Sequence, residues 1–328
     1  MDSPAAPGAV VVRGLTKRYG DIVALDRLDL DVPAGSIFGF LGPNGAGKTT
    51  TLRLLTGLGR PTAGKASVDG IDVTSGGREL RRRIGCLDQD PRFYGWLTGR
   101  ELLALVGRCY GLDGRQLRTR VDEVLGLIGL TEAANRRIGG YSGGMRQRLG
   151  VGQAVLPRPA VLFLDEPVSA LDPAGRRDVL ELIGSFRGSM TVVMSTHILG
   201  DVERICDRVG ILDRGCLVTE GPMEGLLEQH AQPIFELDPE PNQAGAVAGL
   251  VTALRAAAWV RDVHQDQGIL RVVVDDAATA SKAILPLVGR ADVSLSRFER
   301  VRPSLEDVFL RLVGADRPHS QPAGGIAQ

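Results

Sequence analysis

A ten-residue loop motif constrains the fold of this chain more than any other feature. Residues 41–50 read LGPNGAGKTT and follow directly on the apolar run Ile37 to Leu41. The stretch from Gly42 to Thr49 fits the pattern G-x-x-x-x-G-K-[ST], and it stands between a predicted buried strand and a predicted helix, as the pattern requires. We therefore predict a loop that wraps a polyphosphate, with the positive N-terminal end of the helix behind it.

The lysine of this loop contrasts with the composition of the chain. Lys and Arg together number 39, but lysine occurs only at positions 17, 48, 65 and 282. A slim ammonium group can reach between two phosphates, where the broad, planar guanidinium group directs its donors differently. Lys48 is thus predicted to contact phosphate, and Thr49 to offer its hydroxyl to Mg²⁺. The residues predicted to bind the nucleotide in this loop are Gly42, Pro43, Asn44, Gly45, Ala46, Gly47, Lys48, Thr49 and Thr50.

Two adjacent carboxylates follow another apolar run. In the segment AVLFLDEP, residues 161–164 lead directly into Asp165 and Glu166. Because the carboxyl ends of parallel strands meet at one edge of a sheet, we expect both side chains beside the phosphate loop. One acid can then hold Mg²⁺ while the other holds a water molecule.

Charge and composition argue against several classes of function. Lys plus Arg equals Asp plus Glu at 39 each, which disfavours a general electrostatic grip on nucleic acid or on an anionic membrane surface. The four cysteines show no CxxC spacing, which favours a reduced cytosolic protein over a disulfide or zinc framework. The first residues carry no secretory signal, and no apolar stretch approaches the roughly 20 residues of a spanning helix. We expect no metal other than Mg²⁺.

Two domains of different architecture are predicted. From 9 to 228, short apolar runs alternate with helical patterns such as 50–58 and 178–186, which indicates an α/β domain around a mostly parallel sheet. The segment HAQPIFELDPEPNQ, with its three prolines, ends this alternation. Residues 232–313 are predicted to form a small α+β domain of the ferredoxin-like order β-α-β-β-α-β plus a last helix, and 314–328 a flexible tail. The predicted elements are strands 233–238, 258–264, 269–275 and 291–299 and helices 243–257, 277–287 and 304–313.

A third motif, YSGGMRQRL at residues 141–149, makes a family resemblance specific. Here a serine and two glycines open a polar, arginine-bearing helix. With the phosphate loop before it and the two carboxylates after it, the chain resembles the ATP-binding subunit of an ABC transporter over roughly two thirds of its length. The resemblance implies a P-loop NTPase fold of the ABC type, in which antiparallel β and helical subdomains accompany the mostly parallel sheet. It also implies that Ser142, Gly143 and Gly144 bind ATP held by a second subunit, in an expected homodimer.

The same resemblance assigns roles to residues outside these motifs. Tyr19 matches the aromatic residue that stacks on adenine. Gln89 matches the loop glutamine that lies near both Mg²⁺ and the membrane subunit, so that the implied Mg²⁺ ligands are Thr49, Gln89 and Asp165. Glu166 matches the base that polarises the attacking water. His197 matches the histidine that senses the γ-phosphate.

Three positions depart from the family pattern. Asp88 stands where the family commonly has proline, and with Asp90 it flanks Gln89 by two negative charges. Met145 replaces the usual glutamine of the YSGGMRQRL motif, and Ala170 replaces a usual glycine. Neither Met145 nor Ala170 removes a phosphate contact that the resemblance implies.

The resemblance also implies a function and its partners. ATP hydrolysis would power transport through an integral membrane permease in a separate chain, with this protein bound peripherally at the cytoplasmic face of the cell membrane. YSGGMRQRL and the segment FERVRPSLEDVFLRLVG, residues 298–314, are most similar to drug-resistance exporters of the daunorubicin-resistance, ABC-2 type, whose cargo would be a drug, an antibiotic or a lipid-like molecule. An importer ATPase with a regulatory tail and a soluble ABC ATPase are the alternatives. No nucleic-acid partner is expected, because the chain has no basic patch for RNA.

A cluster of aromatic residues follows Gln89. The chain contains only 8 Phe, 4 Tyr and 2 Trp, yet Phe93, Tyr94 and Trp96 fall within four positions of one another. Pro91 precedes them and Gly95 interrupts them, which predicts a surface loop. Exposed aromatic clusters usually mark a contact site, here for the membrane subunit, but the rings could instead form a small satellite core under the next helix.

Overall fold

The computed structural model describes residues 8–230, 233–266, 268–301 and 304–314. The chain divides into two compact units, Met1–Met223 and Glu224–Gln328. The tail predicted for 314–328 lies outside the described residues, except for Gly314. Among the described residues, no helix is both long and apolar enough to cross a bilayer.

The first unit combines two sheets with seven helices in its described part. Its strands are β1 (Val10–Tyr19), β2 (Ile22–Val32), β3 (Ile37–Leu41), β4 (Ala63–Val68), β5 (Ile71–Asp72), β6 (Ile84–Leu87), β7 (Val161–Asp165), β8 (Thr191–Thr196), β9 (Arg208–Asp213) and β10 (Cys216–Pro222). Its helices are α1 (Lys48–Leu55), α2 (Gly77–Arg83), α3 (Gly99–Cys109), α4 (Gly114–Leu127), α5 (Gly143–Val155), α6 (Pro173–Gly184) and α7 (Leu199–Ile205).

The larger sheet has the order β10-β9-β3-β8-β7-β6, and only its edge strand β10 pairs in antiparallel fashion. Strands β3, β7 and β8 are buried at every position. Burial of both faces explains why these strands appear in the sequence as unbroken apolar runs. The carboxyl ends of the three strands lie at one edge of the sheet, and the predicted mostly parallel architecture is confirmed.

The smaller sheet of this unit is antiparallel, in the order β2-β1-β4-β5. It supplies the antiparallel β subdomain, whereas α3, α4 and α5 pack together as a helical part. A capping box starts α3, in which the Thr98 side chain accepts from the N–H of Glu101 while the Glu101 carboxylate accepts from the N–H of Thr98.

Two helices of the first unit begin earlier than the periodicity predicts. Helix α1 begins at Lys48 rather than at Thr50, and α6 begins at Pro173 rather than at Asp178. In α6 the Asp172 side chain accepts from the N–H of Gly175, and proline takes the first helical position. The cap at Asp172 therefore places the start of α6 ahead of the predicted segment 178–186, whereas Gly47 before α1 forms no side-chain cap hydrogen bond.

The second unit is a ferredoxin-like α+β fold. Its elements are α8 (Met223–His230), which begins at the unit boundary, then β11 (Ile234–Pro239), α9 (Ala244–Arg255), β12 (Val260–Asp266), β13 (Ile269–Val274), α10 (Ala277–Arg290), β14 (Leu295–Val301) and α11 (Leu305–Gly314). The sheet order β12-β13-β11-β14 is antiparallel throughout, so the predicted order β-α-β-β-α-β is confirmed. The last strand begins four residues later than predicted, because α10 continues to Arg290 and the turn after it includes Asp292 at φ 54°.

Candidate active site

The loop between β3 and α1 requires glycine at two positions. A Cβ atom on Gly42 would overlap the carbonyl oxygen of Leu212 and lie 2.9 Å from Cβ of Ala46. Gly47 has φ +106°, and a Cβ there would lie 2.7 Å from the carbonyl oxygen of Ala24. Real Cβ atoms do not make such contacts, so the loop can adopt this curl only without these side chains.

Lys48 points back into this loop. Its Nζ donates to the carbonyl oxygens of Gly42 at 2.7 Å and Pro43 at 3.2 Å, and it lies 3.7 Å from Oε1 of Glu166. The side chain is only 7% exposed. Burial lowers the pKa of Lys48, and the nearby carboxylates of Glu166 and Asp165 oppose this shift. A poorly solvated cation therefore stands inside the loop, where phosphate oxygens could replace the two carbonyl groups.

Glu166 leaves strand β7 with a left-handed backbone, φ 47°. Such a conformation costs a non-glycine residue about 1–3 kcal/mol and is found where the surroundings enforce it. Here the N–H of Glu166 donates to both the carbonyl oxygen and the Oγ of Ser195, each at 3.1 Å. The turn brings the buried Glu166 carboxylate to His197, whose Nδ1 lies 2.8 Å from Oε2.

Ser195 is a site residue that the sequence analysis did not identify. Its side chain is fully buried, and its Oγ lies 2.5 Å from Oδ1 of Asp165 while accepting from the N–H of Glu166. One hydroxyl group therefore orients two neighbouring acidic residues. The available signal was the polar pair Ser195-Thr196 at the end of an apolar strand, directly before His197.

A cleft of about 230 Å³ brings together most of the predicted site residues. It is lined by Ala24, Asn44, Gly45, Ala46, Gly47, Lys48, Thr49, Thr50, Gln89, Glu166 and His197. Ala24 carried no sequence signal, because it comes from strand β2 and reaches the cleft only through the fold. Gly42 and Pro43 do not line the cleft, and their carbonyl groups bind Lys48 instead.

The donors beside the cleft suit a hard cation. Thr49 lines both the cleft and a smaller adjoining cavity, which Asp165 also lines. Thr49, Gln89 and Asp165 offer hydroxyl, amide and carboxylate oxygens, and Mg²⁺ prefers oxygen ligands. These residue types therefore fit the predicted ion.

Two groups of predicted residues lie away from the cleft in the single chain. Tyr19 is 51% exposed, and the Nζ of Lys17 lies 4.8 Å from its ring centroid. Ser142 and Gly143 are exposed at the N-terminal end of α5, where the Ser142 side chain accepts from the N–H of Met145 at 3.2 Å. The ring and the helix end are therefore both accessible to other molecules.

Comparisons with known proteins identify the family. A model described as ABC transporter matches residues 25–169, and one described as ATP-binding protein DrrA1-3-like, C-terminal domain, matches 221–313. The daunorubicin resistance ATP-binding protein DrrA3 of Streptomyces coeruleorubidus is 38% identical over 95% of this chain and 98% of its own length. The bacitracin transport ATP-binding protein BcrA of Bacillus licheniformis is 37% identical over 92% of this chain and 95% of its own.

A solved structure agrees with this assignment. The ATP-binding cassette MJ0796, described as a dimeric post-hydrolysis state bound to ADP and Pi, is 28% identical with a TM-score of 0.59. The match covers 65% of this chain and 98% of that one. The predicted fold and family are thus confirmed, and this protein belongs to the ABC transporter family as an ATP-binding protein and ATP hydrolase with a DrrA-like C-terminal domain.

Proposed function

We propose that this protein powers the export of a small molecule, such as a drug, an antibiotic or a lipid-like compound. The export path would be an integral membrane permease in a separate chain, with this protein bound peripherally at the cytoplasmic face of the membrane. The proposal is supported by relatives that are named for daunorubicin resistance and bacitracin transport and that align over nearly the whole chain.

The position of the Glu166 carboxylate carries the chemical part of this proposal. One oxygen lies 3.7 Å from Nζ of Lys48, and the other lies 2.8 Å from Nδ1 of His197. Hydrolysis of a phosphoanhydride requires charge neutralisation on the phosphoryl oxygens and a water molecule held in line. A carboxylate between a phosphate-binding lysine and a histidine at the mouth of the loop is suited to hold that water.

The residues of the loop act first on the nucleotide. When the nucleotide binds, phosphate oxygens replace the carbonyl oxygens of Gly42 and Pro43 as the acceptors of Lys48. The buried ammonium group then forms hydrogen bonds with charged acceptors, which are stronger than those with neutral carbonyl groups. Glu166 then accepts a hydrogen bond from the attacking water and draws its proton, while His197 holds the carboxylate in place. Thr49, Gln89 and Asp165 would hold Mg²⁺, which when bound would supply further charge neutralisation at the phosphoryl oxygens.

A second copy of the chain completes each site in this proposal. The exposed end of α5, with Ser142, Gly143 and Gly144, has backbone N–H groups and a positive helix end to offer to the γ-phosphate on the other subunit. The exposed ring of Tyr19 stacks on adenine. Closure of the dimer on two ATP molecules and its reopening after hydrolysis would provide the work of transport.

The aromatic loop after Gln89 is proposed as the contact for the membrane subunit. Tyr94 and Trp96 are 56% and 67% exposed, and their ring centroids lie 4.8 Å apart. The loop beneath them is anchored, because the N–H of Ile138 donates to the carbonyl oxygen of Leu97 and that of Gly139 to that of Gly95. Paired aromatic rings on an anchored loop form an apolar surface that needs little ordering when a partner binds.

Affinity purification from membranes tests the function. A tagged chain should co-purify from detergent extracts with a polytopic membrane protein, and inverted membrane vesicles that contain both should accumulate the exported compound only with ATP. A Glu166→Gln chain should assemble equally well but support no accumulation. Recovery with ribosomes or DNA instead of a membrane protein would contradict the proposal, and ATP-driven uptake in the opposite direction would indicate an importer.

A further inference from the structure

A second cavity, of about 690 Å³, lies in the helical part of the first unit. Its lining comes from α2, from the end of α3, from one face of α4 and from the segment that follows α5. None of its lining residues belongs to the nucleotide cleft. Helix α5 has 13 residues and is therefore about 20 Å long, which separates this cavity from Ser142 at the other end of that helix.

The charged side chains of this cavity are mostly positive. Four arginines, Arg82, Arg115, Arg120 and Arg158, and one glutamate, Glu123, leave a net charge of 4 − 1 = +3. Arg120 and Arg158 both donate to Oε2 of Glu123, at 3.1 Å and 2.9 Å. These hydrogen bonds lower the pKa of Glu123, so the carboxylate remains ionised and is already occupied.

Arg120 also fixes one wall of the cavity. Its Nε donates to the carbonyl oxygen of Leu156 at 2.8 Å, and its Nη2 donates to that of Val155 at 2.6 Å. These are carbonyl groups at the C-terminal end of α5, where a helix leaves acceptors without partners. These hydrogen bonds join α4 to the end of α5 and fix the position of the Arg120 side chain in the cavity wall.

Arg82 and Arg115 differ from the other two arginines. Both are exposed, and neither side chain forms a hydrogen bond or an ion pair with any residue in the described part of the chain. They reach the cavity from different helices, α2 and α4. Two guanidinium groups that have no partner among the described residues thus border the same space, next to a glutamate that other arginines already neutralise.

Apart from Gln116 and Thr119 of α4, the uncharged residues that line the cavity are largely apolar. Tyr110 and Leu112 come from the end of α3 and the turn after it, and Leu156 and Pro157 follow α5. Leu156 is almost fully buried, whereas Tyr110 is 41% exposed. Small-molecule sites are typically concave spaces of about 300–1,000 Å³ with apolar walls and a few convergent polar groups. The volume and the lining of this cavity both match that description.

We infer that this cavity binds a small amphiphilic anion, in which a carboxylate, sulfonate or phosphate is carried on an apolar ring or short chain. Arg82 and Arg115 bind the anionic group, because guanidinium groups form charge-assisted, often bidentate hydrogen bonds with such oxygens. Tyr110, Leu112 and Leu156 contact the apolar part. The ligand is a free small molecule, since the cavity has the volume of a drug-sized site rather than the extent of a membrane surface.

A matched pair of fluorescent probes tests this inference. 1-Anilinonaphthalene-8-sulfonate carries a sulfonate, and N-phenyl-1-naphthylamine has the same ring system without it. Both are titrated into the full chain with saturating Mg·ADP, which occupies the nucleotide cleft. We expect Arg82→Gln/Arg115→Gln to weaken sulfonate binding by about ten-fold or more, since it removes hydrogen bonds to a charged group, and to leave the neutral probe nearly unchanged.

The control variant is Arg78→Gln/Arg118→Gln, which removes one exposed arginine from each of the same two helices without touching the cavity lining. Binding of the sulfonate probe to this control should equal that to the unaltered chain. An equal loss in both double variants, or an equal loss of both probes, would overturn the inference. Monomeric dodecyl phosphate should displace the sulfonate probe. If only phosphatidylglycerol vesicles displace it, a membrane surface is recognised and the proposed free ligand is wrong.

Discussion

The Oγ atom of Ser195 lies 2.5 Å from Oδ1 of Asp165, at the carboxyl ends of two adjacent parallel strands. The same Oγ accepts from the N–H of Glu166 at 3.1 Å. Since Asp165 is a proposed ligand of Mg²⁺ and Glu166 the proposed base, one buried hydroxyl group positions both. We therefore propose Ser195 as a positioning residue that acts through its two acidic neighbours.

Replacing Ser195 by alanine should slow ATP hydrolysis and raise the Mg²⁺ concentration needed for half-maximal activity. Loss of a residue that orients a metal ligand typically costs about 10–100-fold in metal affinity or activity. Steady-state ATPase assays across a Mg²⁺ titration measure both effects. Ser189→Ala, which removes a hydroxyl that donates to the carbonyl oxygen of Phe186, is the matched control. An unchanged Mg²⁺ dependence in Ser195→Ala would leave only a structural role.

Glu166→Gln should retain ATP binding but lose turnover, by roughly 10²–10⁴-fold, because the amide cannot accept the proton of the attacking water. Lys48→Ala should lose ATP binding itself, since Lys48 is the residue proposed to contact phosphate in the ground state. Equilibrium binding and single-turnover assays separate the two effects. With ATP, Glu166→Gln should elute as a dimer in size-exclusion chromatography. Glu132→Gln, at an exposed position outside the cleft, should behave like the unaltered chain, and normal turnover of Glu166→Gln would refute the assignment of the base.

Ser142→Arg should leave ATP binding to a single subunit nearly intact yet abolish hydrolysis, because the phosphate contact proposed for Ser142 is made across the dimer. The position of Ser142 outside the cleft of its own chain motivates this prediction. Mixing Ser142→Arg with Lys48→Ala subunits should restore part of the activity, since each mixed dimer contains one intact site and one site that lacks both groups. Two inactive variants that gain no activity over a range of mixing ratios would count against independent shared sites.

Trp96→Ala should weaken assembly with the membrane subunit by about ten-fold or more, as expected for the loss of an aromatic anchor at an interface. Because the ring is 67% exposed, the melting temperature and ATPase rate of the free chain should hardly change. Pull-down from detergent extracts at graded concentrations measures the affinity. Leu285→Ala removes an exposed apolar side chain from the second unit and serves as the control. A marked fall in melting temperature with normal assembly would assign Trp96 to a local core.

The sequence by itself predicted those parts of the protein whose residues are contiguous or regularly spaced. The phosphate loop is a contiguous motif of fixed spacing, so the sequence predicted its glycines and its lysine. The atoms that exclude a side chain at positions 42 and 47 nevertheless belong to the distant residues Leu212 and Ala24. The ferredoxin-like order of the second unit was likewise predicted, because alternation and helical periodicity directly reflect which face of each element is buried. The predicted limits of the elements were less accurate. Helix α6, for example, begins next to its cap, Asp172, before the segment 178–186 that its periodicity indicated.

Only the tertiary structure decided which distant residues meet. Ala24 reaches the nucleotide cleft from β2, and Ser195 meets Asp165 because β7 and β8 are neighbours in the sheet. The sequence left open whether Trp96 packs in a small core. In the structure its ring is exposed, and backbone hydrogen bonds from another segment fix the loop that carries it. The cavity between Arg82 and Arg115 had no sequence signal at all. Its walls come from four separate segments, and the packing of helices, which no local pattern records, brings them around one space.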